Sequence, residues 1–179
     1  MLAPLSSVMQ TAQSFADISC FLRQGVADEE SRELRDSIGA LALHIDAAVR
    51  ARRRRSHAEA IARSADALAL GVLEHQLFLS RMGTGWKLLY EFGAYYRALR
   101  ELAAAVTRWQ QALEQRSALE GANFDQVELL AWRTLGEGML LIDMYEQGGQ
   151  SLSEPPAALH RPAPGAWGRV MGWWQRLRR

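Results

Sequence analysis

The sequence has little of what builds disulfide bonds or membrane spans. Its 179 residues include one cysteine, so no disulfide can form within the chain, and Cys20 is expected to be a small buried apolar residue. No window approaches the run of about 18 apolar residues that a membrane-spanning helix needs. The first residues lack the basic start of a secretory signal, so the predicted location is the cytoplasm.

Proline is confined to the two ends of the chain, at positions 4, 155, 156, 162 and 164. Residues 5–154 therefore contain none and are rich in Ala, Leu, Arg, Glu and Gln. Because an interior proline costs a helix about 3 kcal/mol and these residues are good helix formers, the stretch is typical of helices. No alternation of strand length appears. The sequence predicts an all-α fold.

Capping residues and glycines divide this stretch into five predicted helices. The first helix is predicted near 6–24, and the second runs from Asp28 to the arginines at 50–55. The third runs from a Ser56/Glu59 capping box to the break at Gly83–Gly85, and the fourth covers 86–117. The fifth runs from an Asn123/Gln126 capping pattern to Gly148–Gly149. In the fourth helix the predicted core stripe is Leu89, Phe92, Tyr96, Leu99, Ala103, Val106 and Leu113.

Short connections between long helices make successive helices antiparallel. The predicted architecture is thus an antiparallel four-helix up-down bundle over 27–149, with an extra N-terminal helix over 1–26. A proline-rich linker over 150–165 leads to an amphipathic tail helix over 166–179. The fourth and fifth helices, around Leu88–Tyr96 and Met139–Tyr145, are apolar on more than one face, which favours a homo-oligomer.

Motifs for catalysis, metals and cofactors are missing from the sequence. It has no Glu-x-x-His or His-Glu-x-x-His pattern, no glycine-rich phosphate loop and no cysteine pair, so neither an enzyme, a metal site nor a cofactor is expected. His75 lies on an apolar helix face, which suits a core or interface histidine better than a general base or metal ligand. His44 has the same interpretation, and Asp143 is expected to be exposed or interfacial.

Five arginines crowd the end of the second predicted helix, at Arg50, Arg52, Arg53, Arg54 and Arg55. One or two cations suit the negative end of a helix dipole, so part of this cluster has a purely stabilising explanation. Five cations repel one another, and such density also suits binding to the phosphates of RNA, DNA or a lipid headgroup. Both interpretations remain open from the sequence.

The C-terminal tail is the most distinctive segment. Residues 161–179 contain five arginines and no acidic residue, whereas the other 160 contain 16 basic and 20 acidic residues, so the formal net charge of +1 hides segregated charge. A short helix has no core of its own and must dock onto its own oligomer, a partner protein, an anionic membrane surface or nucleic acid. The predicted docking residues are Trp167, Val170, Met171, Trp174 and Leu177 on one stripe, with Arg176, Arg178 and Arg179 beside it.

The layout of residues 35–146 resembles the Avd-like four-helix-bundle accessory proteins of diversity-generating retroelements. The matching features are the basic helix end at Arg52–Arg55, the helix Ile61–Glu74, the segments Lys87–Tyr90 and Leu99–Leu102, and the glycines inside Leu135–Gly138. The resemblance implies a small oligomer that binds a reverse transcriptase and its RNA, with Arg52–Arg55 as the residues carried over. The sequence thus predicts either such an accessory scaffold or an adaptor that docks through its tail.

Overall fold

A computed structural model describes residues 11–24, 29–87 and 89–151, with side chains through Gln147. The chain divides into two units, Met1–Gln147 and Gly148–Arg179, and the description below concerns the first. The described residues are helical or form short connections, with no strand among them, which confirms the predicted all-α class. The predicted tail helix over 166–179 lies outside the described residues.

Six helices cover most of the described chain. They are α1 (Phe15–Arg23), α2 (Glu29–Arg53), α3 (Ala58–Arg81), α4 (Thr84–Lys87), α5 (Tyr90–Glu114) and α6 (Glu120–Ser151). The helix predicted over 86–117 is therefore divided into α4 and α5. The last helix runs past the glycines at 148 and 149, which were expected to end it.

A capping box sets the start of α1. The Ser14 hydroxyl accepts a hydrogen bond from the Asp17 amide at 3.3 Å, and the Asp17 carboxylate accepts from the Ser14 amide at 2.9 Å. The Gln13 amide also donates to Asp17, and this bond together with those from Ser14 lowers the pKa of the Asp17 carboxyl. Residues 11–14 are not helical, so the prediction of a continuous helix over 6–24 is wrong.

Two arginines in the left-handed backbone region end α2 and α5. Arg55 has φ 51° and Arg116 has φ 48°, and the residue after each donates its amide back to the helix, from Ser56 to Ala51 O at 3.1 Å and from Ser117 to Ala112 O at 2.9 Å. This is the Schellman arrangement, in which glycine is the usual residue. Since the Ser56 amide closes α2, the predicted Ser56/Glu59 capping box does not form.

The helices α3 and α6 begin without their predicted caps. The N-cap residue of α3 is His57, which makes no side-chain capping bond. Helix α6 begins at Glu120, so Asn123 and Gln126 lie inside it rather than at a cap.

The core is shared by the four long helices. At one level of the molecule, Ser37 of α2 contacts His75 of α3, and His75 contacts Tyr95 of α5. A Cβ atom on Gly138 of α6 would lie 2.9 Å from the Tyr95 ring and 3.0 Å from Ile38 of α2. These contacts close a ring through α2, α3, α5 and α6, so glycine at position 138 allows α6 to approach both neighbours.

Helix α1 packs against α2 and α6. The Phe15 ring lies 4.2 Å from the Trp132 ring of α6, and Ser19 faces Gly39 of α2, where a Cβ would lie 3.3 Å from the Ser19 hydroxyl oxygen. The buried residues of α1 are Phe15, Ile18, Ser19 and Leu22. Cys20 is exposed on the other side, so its predicted burial is wrong.

The apolar stripe predicted in α2 is buried throughout, whereas the stripe predicted in α5 is buried only in part. All the stripe residues expected in α2 are buried, namely Leu34, Ile38, Leu41, Ile45, Ala48 and Val49. In α5, Leu99 and Val106 of the predicted stripe are buried, but Tyr96 is 38% exposed and the neighbouring Tyr95, which is not in the stripe, is fully buried. Asp143 of α6 is buried, contrary to the expectation that it is exposed or interfacial.

Candidate nucleic-acid interface

Arg52, in the predicted arginine cluster, is half-buried and bonded to the start of α6. Its guanidinium donates from both Nε and Nη2, at 2.8 Å each, to the Glu120 carboxylate at the start of α6. The same carboxylate accepts the Trp109 indole N–H at 2.8 Å, and the guanidinium carbon lies 5.7 Å from the Phe124 ring centre. Hydrogen bonding to Glu120 raises the pKa of Arg52. Arg52 is thus a structural residue that joins α2 to α6.

Hydrogen bonds around Glu120 also set its charge state. Burial raises the pKa of the Glu120 carboxyl, but the bonds from Arg52 and Trp109 outweigh burial and the net pKa is lowered. The carboxylate is therefore ionised at neutral pH and cancels the charge of Arg52.

Two more arginines of the cluster are also paired. The Arg50 guanidinium lies 2.6 Å from the Asp46 carboxylate one turn earlier in α2, and Arg53 donates to the Glu128 carboxylate of α6. Both arginines are more than half exposed, so each pair adds little to stability but still offsets the positive charge. Three of the five predicted arginines are therefore neutralised by neighbouring carboxylates.

Arg54 and Arg55 are the two members left without a carboxylate. Both are exposed, and neither side chain makes an ion pair or hydrogen bond with another described residue. Arg55 borders an open depression of about 390 Å³, where the ends of α2 and α5 meet the starts of α3 and α6. Arg116, at the end of α5, borders the same depression. Of the predicted arginine cluster, Arg54 and Arg55 at this end of the molecule are therefore the residues that can still bind an anion.

A second basic surface, which the sequence analysis missed, runs along the outward side of α5. Arg97, Arg100 and Arg108 are exposed on this side and have no ion pair within the described part of the chain. The carboxylate of Glu101 lies among them, and it binds Arg133 of α6 at 2.7 Å. Helical spacing places residues 97, 100, 104 and 108 on one side, so the three arginines share a surface. The surface formed by Arg97, Arg100 and Arg108 is called the α5 basic face below.

Aromatic rings lie at one end of the α5 basic face. Tyr96 is 38% exposed and stacks on Phe92, with ring centres 6.2 Å apart and planes within 8° of parallel. An open depression of about 470 Å³ lies beside it. Its lining residues are Gly93, Tyr96, Arg97, Arg100, Glu101 and Ala104. A depression with an exposed ring and two unpaired guanidinium groups can hold a flat, negatively charged ligand such as a nucleotide.

The buried histidine at position 75 is part of a polar network in the core. Its Nδ1 lies 2.6 Å from the Ser37 hydroxyl, and its Nε2 shares a hydrogen bond with the Tyr95 hydroxyl. Burial lowers the pKa of His75 to about 4 and raises the pKa of Tyr95, so both groups are neutral at pH 7. Since His75 and Tyr95 are almost entirely covered, the prediction of a core histidine is confirmed, and its ring has two hydrogen-bond partners.

His44 also has a packing role. A Cβ atom on Gly71 of α3 would lie 2.6 Å from the His44 ring, so glycine at 71 leaves room for this half-buried ring between α2 and α3. Within residues 11–24, 29–87 and 89–151, no group of three or more His, Cys, Asp or Glu side chains is placed to hold a metal ion.

The predicted docking residues of the tail lie outside the described residues: Trp167, Val170, Met171, Trp174, Leu177, Arg176, Arg178 and Arg179. No helix in the described part of the chain is both long enough and apolar enough to cross a membrane. Comparison with protein-family models, curated proteins and solved structures found no match to this chain. The case for a function therefore depends on the geometry of this molecule.

Proposed function

We propose that α2, α3, α5 and α6 form an antiparallel up-down four-helix bundle. Contacts between α2 and α6 run in opposite order along the two helices, since Arg35 near the start of α2 binds Glu146 near the end of α6, while Arg52 near the end of α2 binds Glu120 at the start of α6. The other long helices are joined by short connections, which favour the same alternation. Such a bundle supports long, rigid outer faces.

We further propose that the protein is a non-enzymatic scaffold that binds single-stranded RNA, with the α5 basic face as the main contact. The observation that carries this proposal is that Arg97, Arg100 and Arg108 share a side and have no carboxylate partner among the described residues, while the carboxylate among them is held by Arg133. From Tyr96 to Arg108 the face is about 18 Å long at 1.5 Å per residue. That length suits a few consecutive nucleotides rather than one phosphate.

Two kinds of contact on this face suit a single strand. The guanidinium groups bind phosphate oxygens in a planar, forked geometry and release condensed counterions. The exposed Tyr96 ring offers a stacking surface, and base stacking on an aromatic side chain contributes about 1–3 kcal/mol per base. Arg100 lies one helical turn from Tyr96, so a base stacked on the ring brings its phosphate close to a guanidinium group.

The depression at the end of the molecule extends this surface. Arg116 ends the same helix as the α5 basic face and borders the depression shared with Arg55, while Arg54 lies next to Arg55 in the chain. In this proposal a strand that follows α5 continues onto the two unpaired arginines of the predicted cluster. The resemblance to retroelement accessory proteins adds a reverse transcriptase as the proposed protein partner.

Salt-dependent RNA binding tests the proposal. Fluorescence anisotropy of a labelled single-stranded RNA would be measured at several salt concentrations for the full chain and for three double variants, each of which removes two positive charges. The variants are R97Q/R100Q on the α5 basic face, R54Q/R55Q at the end of α2, and the control R23Q/R63Q, whose arginines are exposed on α1 and α3.

The R97Q/R100Q variant is expected to lose affinity and to lower the salt-dependence slope by about 1.4, since each lost single-strand phosphate contact contributes about 0.7. The R54Q/R55Q variant is expected to show a smaller loss, and the control is expected to bind as the natural chain does. Equal binding by R97Q/R100Q and the control would refute the α5 assignment. If the natural chain binds no RNA at low salt, the proposed function itself is wrong.

A second proposed function is an adaptor that docks through residues 166–179. The supporting observation is the tail sequence, in which Trp167, Trp174 and Leu177 share a helical stripe beside several arginines. Co-sedimentation with vesicles that contain anionic lipids, using the chain with and without residues 166–179, tests the membrane form of this proposal. Equal sedimentation of both chains would exclude it.

A further inference from the structure

A row of exposed leucines runs along the outward side of α3. Leu70, Leu73 and Leu77 are 56%, 51% and 50% exposed, although this side of a surface helix normally carries polar residues. They recur at spacings of three and four, so they form one stripe rather than scattered positions. A contiguous apolar surface of this kind marks an interaction site.

Helix α2 exposes further apolar residues at a similar height. Gly71 of α3 faces the His44 ring of α2, which brings Leu43 to about the same height as Leu70. Leu43 is 41% exposed, and its neighbours Ala40 and Ala47 on the same side of α2 are exposed as well. The set of Leu70, Leu73, Leu77 and Leu43 is called the α3 patch below.

Opposite charges stand at the two ends of the α3 row. Asp66 lies one turn before Leu70, and Arg81 lies one turn after Leu77, both exposed. Asp66 accepts a hydrogen bond from Gln110 through one oxygen at 2.8 Å, which leaves its second oxygen for another donor. Arg81 makes no ion pair within the described residues. The order along this stripe is therefore acidic, three leucines, basic, and the exposed Glu74 lies beside the stripe next to Leu73.

We propose that the α3 patch binds a second copy of this chain in an antiparallel, two-fold dimer. A two-fold axis between residues 73 and 74 places Leu70 of each copy opposite Leu77 of the other. The two Leu73 side chains lie near the axis, and the exposed Glu74 side chains lie at the edge of the contact, about 100° around the helix from Leu73. The same axis places Asp66 of each copy opposite Arg81 of the other, at both ends of the row. A two-fold interface requires a surface that is complementary to itself, and this order of residues satisfies that requirement.

A parallel arrangement of the same helices is unfavourable. It would set Asp66 against Asp66 and Arg81 against Arg81, and like charges in contact oppose association. The small area of the row also limits the expected strength of the dimer. One helix pair with a few added residues from α2 buries less than the roughly 800 Å² per partner of a standard interface, so the dimer is expected to be concentration-dependent rather than permanent.

The patch lies on α3, whereas the proposed RNA contact lies on α5. The dimer is therefore a separate property of the chain, and RNA binding and dimerisation can fail independently. Where both hold, the dimer doubles the number of α5 basic faces in one particle, which raises the apparent affinity for long strands by effective concentration.

Sedimentation velocity of the full chain over a wide range of concentrations tests the dimer. The natural chain is expected to show a concentration-dependent shift from monomer to dimer. Leu73→Glu places a carboxylate at the centre of the row and is expected to weaken dimerisation at least tenfold. The matched control is Leu129→Glu, which changes another exposed leucine, on α6, and this variant is expected to dimerise as the natural chain does.

Charge reversal tests the antiparallel register. Asp66→Arg alone is expected to weaken the dimer, and the combination of Asp66→Arg with Arg81→Asp is expected to restore it. All the changed side chains are exposed, so each variant is expected to keep the fold. A circular dichroism melt of each variant checks this. The proposal would be overturned by any of three results. The natural chain could be monomeric at all concentrations, the changes at 73 and 129 could have equal effects, or the double reversal could fail to restore the dimer.

Discussion

Acid is expected to destabilise this protein through one buried histidine. Burial lowers the pKa of His75 from its ordinary value of 6.5 to about 4, so between these values the unfolded chain binds a proton that the folded chain does not. The free energy of unfolding is therefore unaffected by His75 above pH 6.5 and falls as the pH falls from 6.5 towards 4. Below pH 4 both states bind the proton, so the loss grows no further. One pKa unit corresponds to about 1.4 kcal/mol, so the loss between pH 7 and pH 4 is about 3 kcal/mol.

The carboxylates of the protein also titrate in this range, so the measurement is a difference between two chains. Urea unfolding from pH 7 to pH 4 would be followed for the natural chain and for His75→Gln, whose side chain does not titrate. The difference in unfolding free energy is expected to shrink by about 3 kcal/mol over the range, of which about 2 kcal/mol is lost by pH 5.

The control for this experiment is His57→Gln, because His57 is exposed at the start of α3. Its curve is expected to run parallel to that of the natural chain. If the curve for His75→Gln is parallel to the natural curve as well, His75 titrates normally in the folded state and its burial has no electrostatic cost.

Two further predictions concern packing and a buried carboxylate, and urea unfolding at neutral pH measures both. Gly138→Ala is expected to cost about 1–3 kcal/mol, because the new Cβ would lie 2.9 Å from a buried ring, whereas Gly93→Ala meets nothing within 4 Å and is expected to stabilise by up to about 1 kcal/mol. Similar effects from the two changes would contradict the close approach of α6. Glu120→Ala is expected to cost about 1–3 kcal/mol because it leaves the Trp109 indole N–H without its acceptor, while Glu114→Ala, which changes an exposed side chain, is expected to cost little. A loss of the same size at both positions would contradict a structural role for Glu120.

Hydrophobic periodicity predicted the core well where a helix has one apolar side. In α3 the spacing predicts a core stripe of Ile61, Ala65, Leu68, Val72, His75 and Leu79, and all of these are buried except Ile61, which is half-buried. In α5, large side chains occupy adjacent positions such as Tyr95 and Tyr96. Two neighbouring stripes therefore fit the helical spacing, and the spacing alone does not say which of them is buried.

The choice between those stripes is made by tertiary packing. The structure selects the stripe that contains Tyr95, whose hydroxyl meets His75 and whose ring meets Gly138. The stripe with Tyr96 was equally apolar, and only the position of α3 and α6 decides between them.

Helix ends were harder to predict than helix existence. Ser56 heads a sequence pattern typical of a capping box, but its amide is already used to close α2. The backbone geometry that requires this places Arg55 in the left-handed region, where the sequence gives no signal because arginine rarely adopts it. At α1 the reverse occurred, since a real capping box at Ser14 and Asp17 was present and was overlooked.

The density of charge along the sequence differs from the charge that remains available in the fold. Arg52 and Arg53 lie in the densest basic segment, yet their carboxylate partners are 68 and 75 residues away in the chain, on α6. Arg97 and Arg108 are eleven positions apart and form no cluster in sequence, but they lie on one side of α5, and the Glu101 carboxylate among them is bound by Arg133. Because phosphate binding depends on unneutralised charge rather than on the number of arginines, the α5 basic face has the stronger claim to the ligand that the arginine cluster first suggested. A protein that kept the cluster and lost the α5 arginines is therefore expected to lose RNA binding.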